Sequence, residues 1–136
     1  MKNLAKHKLA VKTREVIVQA IYQYLFENTP SKEILEQFKK EHKSKKVDFK
    51  RFKLCLDTLI KKNEFIEEII SKEMSISKNE IELIDKAILC LGIIEMDMKI
   101  APRNVVIDEC IRLTKKFSNP DSYKFINVSL DKFLKT

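Results

Sequence analysis

Apolar residues recur along nearly the whole chain at the three-to-four spacing of amphipathic helices. The first stripe runs from about Leu9 to Glu27, with Val16, Ile17, Ala20, Ile21, Tyr24 and Leu25 on one face. "NTPSKEILEQFKKEH" predicts a second helix that starts at Thr29, has Pro30 in its first turn and buries Ile34, Leu35 and Phe38. "KKEHKSKKVD" then reads as a polar, Lys-rich connection, a solvated loop, with RNA contact as the alternative. Asp48 caps a longer pattern through Phe52, Leu56, Leu59, Ile60, Ile66 and Ile70, reaching about Lys72, with a candidate bend at Asn63 and Glu64. "SKNE", Ser77 to Glu80, has the form of a capping box, and Ile81, Ile84, Ala87, Ile88, Leu91 and Ile94 follow it. Pro102 opens the next helix, with Val106, Ile107, Cys110, Ile111 and Phe117 inward. In "SNPD", Asn119 caps the last helix and Pro120 lies in its first turn; Ile126, Leu130, Phe133 and Leu134 form its packing face.

The pattern predicts an all-α fold, a compact bundle of six to seven helices. "KVDFKRF" alternates like a strand, but the helical spacing around it overrides that reading. A length of 136 residues fits one domain, and a single Gly with three Pro favours long helices joined by short connections. No apolar run approaches the roughly 18 residues of a membrane span. The start, "MKNLAKHKLAVKTREV", has cations but no apolar core, so it does not read as a secretory signal and a cytoplasmic protein is expected. Cys55, Cys90 and Cys110 are odd in number and far apart, no CxxC occurs, and His7 and His42 lack ligand-like neighbours. Three reduced thiols and no metal are expected.

Charge changes the picture more. The net charge is +7, from 27 basic and 20 acidic residues, and all but four of the cations are Lys. An anionic partner follows, with nucleic acid, a membrane surface and an acidic protein all open. Lys8, Lys12 and Arg14 sit at or before the first turn of the first predicted helix, where the helix dipole disfavours cations. No glycine-rich phosphate loop, GxSxG or HExxH occurs, and pairs such as Glu67–Glu68 and Asp108–Glu109 read as surface charge, so no enzyme is expected. Glu95, at the edge of an apolar stripe, reads as a structural carboxylate accepting amides from a nearby helix start, and Asn127 as a structural amide, with a ligand-binding role as the alternative for each. Lys124 and Phe125 are adjacent and cannot both face the core. Phe125 lies about 100° from Ile126, which puts it on the flank. A cation beside an exposed ring is how proteins hold single-stranded RNA.

The order of three stretches carries a resemblance. "KTREVIVQAIYQYLF", "IDKAILCLGIIEM" and "IAPRNVVIDECIRLTKKFSNPDSYKFINVSLDKF" are similar to the NusB family of transcription antitermination factors. "VIDECIRLTKKF" and "DSYKFIN" match most closely. The resemblance covers about residues 8–26 and 80–134; residues 28–75 match in length and helical character. It implies one domain over 1–136, with helical subdomains of about 1–75 and 77–136, and neither catalysis nor a cofactor. It implies binding of boxA RNA in ribosomal RNA transcripts, together with ribosomal protein NusE, within the transcribing RNA polymerase complex. The implied RNA surface includes Lys8, Lys12, Arg14, Tyr22, Lys124 and Phe125, and Asp85 and Asp121 match acidic positions that face the protein partner or lie near the partner–RNA junction. Ala10 and Val11 interrupt the family's basic start, Cys90 stands where many relatives carry an RNA-contacting Arg, and Val128 replaces a Gly. The alternative is a NusB-like accessory or protein-interaction domain without RNA specificity of its own.

Overall fold

The computed structural model describes residues 2–133, with side chains from Leu4 onward. Leu134 lies outside the described residues. Seven α-helices and no strand occur among them. None of the helices is long and apolar enough to cross a membrane.

Helix α1 spans Lys2–Glu27, starting well before Leu9 because Lys, Leu and Ala are strong helix formers even without an apolar stripe. It ends at Asn28, whose φ of 55° and amide bond to the Tyr24 carbonyl (2.8 Å) make an αL cap. Helix α2, Ser31–Glu41, begins with Pro30 in the capping position. Thr29, the expected cap, instead donates its hydroxyl to Glu27. Helix α3, Phe49–Lys61, starts where expected: Asp48 Oδ1 accepts the Arg51 amide at 3.1 Å. The chain breaks at Lys62 before α4, Asn63–Glu68, which is the anticipated bend. A π-helical turn, Ile69–Glu73, follows and buries Ile69 and Ile70.

The capping box does not form. Residues Lys78–Glu80 make a 3-10 turn, and the Ser77 carbonyl, not its hydroxyl, accepts the Glu80 amide. Ile81 and Glu82 are then extended, so α5 starts only at Leu83.

Helix α5, Leu83–Asp97, is the centre of the bundle and packs against α1, α3, α6 and α7. Every residue from Ala87 to Met96 is buried, which explains why this helix is apolar on all sides. Its Gly92, the chain's one glycine, allows a close crossing: a Cβ there would stand 2.8 Å from Leu130 Cδ2 and 3.2 Å from Cys110 Sγ. Helix α6 spans Arg103–Phe117 and α7 Tyr123–Lys132. A 3-10 turn, Pro120–Ser122, joins them, with Asn119 Oδ1 accepting the Asp121 amide at 3.0 Å. Arg103 donates to the carbonyls of Leu130, Asp131 and Phe133 and so ties down the end of α7. Cys55, Cys90 and Cys110 are free and buried, and burial pushes the Cys55 and Cys90 thiols up to about 12.

Candidate nucleic-acid interface

Lys8, Lys12, Glu15, Gln19, Tyr22 and Phe26 follow one another at alternating steps of four and three and so share one face of α1. That face meets α6 through a ladder of alternating charge. Arg14 grips Glu95 from Nε and Nη2, both at 2.9 Å, and reaches Glu109 from Nη1 at 3.2 Å. Arg112 continues it, donating from Nε to Glu109 (3.0 Å) and from Nη1 to Glu15 (2.8 Å). Lys116 Nζ closes it on Glu15 at 2.9 Å. Three acids and three bases run from the core to the surface with no net charge.

Burial alone would lower the Arg14 pKa, but the hydrogen bonds and charges of Glu95 and Glu109 outweigh it and raise it. Burial pushes the Glu15 carboxyl up, and the bonds and charges of Lys116 and Arg112 overcome this and hold it below its ordinary value. The Arg112 guanidinium is likewise raised, because Glu109 and Glu15 outweigh its desolvation.

This ladder corrects two expectations. Arg14 is only 5% exposed, and its guanidinium is occupied by two carboxylates, so it presents no donor to a phosphate. Glu95 is structural as expected, but it is satisfied by Arg14 and not by helix-start amides. Asp85 is mostly enclosed. It is 6% exposed, and its Oδ1 accepts the Ser118 hydroxyl at 2.6 Å, tying the start of α5 to the end of α6. Asn127 is exposed and makes no side-chain hydrogen bond among the described residues, so it is not held as a structural amide. Cys90 is buried, so its position belongs to the core in this chain, while Val128 is exposed and leaves the packing untouched.

Other expected residues are presented to solvent. Lys8 and Lys12 are exposed, with no ion-pair partner among the described residues. Lys124 is exposed at the start of α7, and Phe125 beside it is 36% exposed, on the flank as the helical geometry required. Lys124 Nζ lies 6.0 Å from the centre of the Tyr123 ring, and Lys115 Nζ approaches the same ring at 4.6 Å. Lys115 and Tyr123 join this surface, and "KKF" and "DSYKF" are the stretches of sequence that hold them. An aromatic ring flanked by cations, with a second half-open ring next to it, can stack on bases and neutralise phosphate.

Tyr22 takes a different place. It is 38% exposed and stacks parallel to Phe26 with centroids 6.1 Å apart. Both rings, with Phe117, floor an open groove of about 830 Å³ between α1, α2 and the start of α5, and Glu27, Glu41 and Glu82 line it. Lys116 Nζ stands 5.7 Å from the Phe117 ring, so the groove adjoins the cationic face. Asp121 is exposed on the turn just before Tyr123.

Known proteins resemble the chain over nearly its whole length. The NusB family model matches residues 11–135, including the middle segment whose motifs are weakest. The chain is 35% identical over 126 residues to the transcription antitermination protein NusB of Psychromonas ingrahamii, covering 92% of this chain and 87% of that one. It is 37% identical over 125 residues to the protein of the same name from Tolumonas auensis, covering 91% of each. For that of Buchnera aphidicola subsp. Baizongia pistaciae the figures are 33% over 129 residues, 94% of this chain and 90% of the relative. The chain belongs to the NusB family.

Proposed function

We propose that this protein is a non-catalytic RNA-binding antitermination factor. It binds the boxA segment of ribosomal RNA transcripts together with ribosomal protein NusE, and it supports ribosomal RNA synthesis by the transcribing polymerase. The observation that carries this reading is the cluster of Lys115, Tyr123, Lys124 and Phe125 on neighbouring helices, two exposed cations about a half-buried ring with an exposed ring beside it. Single-stranded RNA asks for that combination: ring faces for bases and point charges for phosphates. Lys8 and Lys12 extend the charge along α1. The adjoining groove supports the partner half of the proposal. Its aromatic floor and acidic rim suit a basic protein segment with an apolar anchor, and Asp121 extends the acidic side toward the RNA face. Free, buried thiols support a reducing compartment, the cytoplasm.

Binding of a boxA strand, measured with and without NusE, tests the reading. Lys115→Ala with Lys124→Ala should weaken RNA binding about tenfold or more and flatten the log–log salt dependence by roughly 0.7 per lost phosphate contact. Glu41→Lys with Glu82→Lys should weaken NusE binding and spare RNA binding by the isolated protein. Unchanged RNA affinity in the first pair would overturn the RNA face; unchanged NusE affinity in the second would overturn the groove.

A further inference from the structure

The chain's excess charge is not on the face just described. Residues 39–53 hold eight cations against two acids, +6 of the chain's +7. Neither acid neutralises the lysines around it. Asp48 spends an oxygen on the Arg51 amide as the cap of α3. Glu41 turns into the aromatic groove, where Gln37 donates to it at 3.4 Å. Lys39, Lys40, Lys43, Lys45, Lys46 and Lys50 are all exposed, and none has an ion-pair partner among the described residues.

The segment is also held in place, unlike a loop that is merely solvated. Val47 is buried, the Lys46 amide bonds the Lys43 carbonyl at 2.9 Å, and the Asp48 amide donates to Thr13 Oγ1 at 2.9 Å. Thr13 is itself buried and follows Lys12 on α1, and Lys6 lies two turns before it on the same side of that helix. The turn is therefore docked beside the basic start of α1, one helix width, about 10 Å, from the Lys8–Lys12 line. Holding unpaired like charges together costs free energy unless an anion meets them. The segment offers no exposed ring for a base and almost no Arg fork, so it is suited to phosphates and not to sequence.

We propose that this lysine turn is a second, sequence-independent RNA contact, which holds the strand flanking the segment bound at the α1/α7 face. It rests on the RNA-binding reading above and adds that the protein grips a longer single strand than the one it recognises.

The test replaces Lys39, Lys43, Lys45, Lys46 and Lys50 together by Gln, and in a second variant by Arg. Since these side chains are exposed and unpaired, both variants should keep the wild-type unfolding midpoint, and the Arg set restores charge if the Gln set misfolds. Binding is measured to a short boxA strand, to the same strand with long flanks, and to oligo-U of about 30 nucleotides, longer than the roughly 4–16 a single-strand groove commonly covers. The Gln variant should bind the flanked strand and oligo-U about tenfold or more weakly, with a salt slope flatter by about 2 to 3 for three or four lost contacts. Its affinity for the short strand should be unchanged, and the Arg variant should match wild type throughout. Wild-type affinity of the Gln variant for both long strands would overturn the proposal. An equal loss on the short strand would also overturn it, by making the turn part of the recognition face. So would loss of binding to phosphatidylserine vesicles with RNA binding intact, which would assign the turn to a membrane surface. If wild type shows no preference for boxA over a scrambled strand, the proposed function fails, while the oligo-U comparison still decides the turn.

Discussion

Two regions of this molecule are rich in cations, and they treat them in opposite ways. Between α1 and α6, Arg14, Arg112 and Lys116 are each held by a carboxylate, in a ladder that descends to the buried Glu95. On the turn between α2 and α3 and the helix ends that flank it, six lysines stand without an ion-pair partner among the described residues. The residue types are similar; what differs is whether an acid projects from the facing helix. The comparison teaches that a cation's availability is decided by tertiary pairing and not by its count. The Arg, with its fork and weak hydration, has gone to the inside, and the Lys has stayed out.

The sharpest way to break this comparison is at the bottom of the ladder. Arg14→Ala leaves Glu95 buried without its counter-charge, which should cost about 3–5 kcal/mol of folding stability, read from a denaturant midpoint. Replacing the pair together, Arg14→Met with Glu95→Leu, should recover most of that loss, because two apolar side chains need no partners. If Arg14→Ala instead keeps its stability and loses RNA binding, Arg14 belongs with the exposed cations after all and the contrast collapses.

Periodicity made the elements legible, and pairing was the part it hid. The stripes along α1, α3, α5 and α6 reported most of the core because burial imposes a fixed angular period on sequence, but Ile60, 37% exposed, and Ile111 fall outside it. Phe125 on the flank of α7 followed from the same geometry. Arg14 did not, since nothing local reveals that Glu95, 81 positions later, will stand against it. The Asp85 contact was hidden for the same reason: Ser118, which bonds it, stands just past the end of α6. The box at Ser77–Glu80 had the right letters, but the chain turns extended at Ile81 and Glu82, a choice set by where α5 must enter the core. Lys115 and Lys116 were visible as letters, and only the fold shows that one meets Tyr123 and the other Glu15.

A smaller effect sharpens the contrast at the recognition face. Phe125 is about one-third open, so its ring contributes less to folding than the roughly 3–5 kcal/mol of a fully buried Phe. Phe125→Ala should keep the fold and lose about 1–3 kcal/mol of RNA binding, the value of one stacked base. The same substitution should leave the lysine turn's affinity for oligo-U flanks in place. Marked unfolding with normal boxA binding in the folded fraction would make Phe125 a core residue and remove it from the RNA face.

The smallest expected effect turns a paired cation into an unpaired one. Glu15 is buried, and its two oxygens accept from Arg112 and Lys116. Those contacts hold its carboxyl below the ordinary 4.5. The unfolded chain therefore takes up this proton first as pH falls. The stabilisation is present in full above about 4.5 and is lost as pH drops through the lower, folded value. Glu15→Gln removes the charge at every pH, so its stability should lack this part of the acid limb. The difference from wild type should be about 1 kcal/mol or less at neutral pH, because both cationic partners face solvent, and it should vanish in acid. The same variant frees Lys116 near the Phe117 ring and leaves Arg112 held by Glu109. Its RNA affinity should rise, with a salt slope steeper by roughly 0.7 for each cation that finds a phosphate. An acid limb and a salt slope both identical to wild type would mean that Glu15 does not restrain these cations, and the division between paired and available charge would have to be drawn elsewhere on the α6 face.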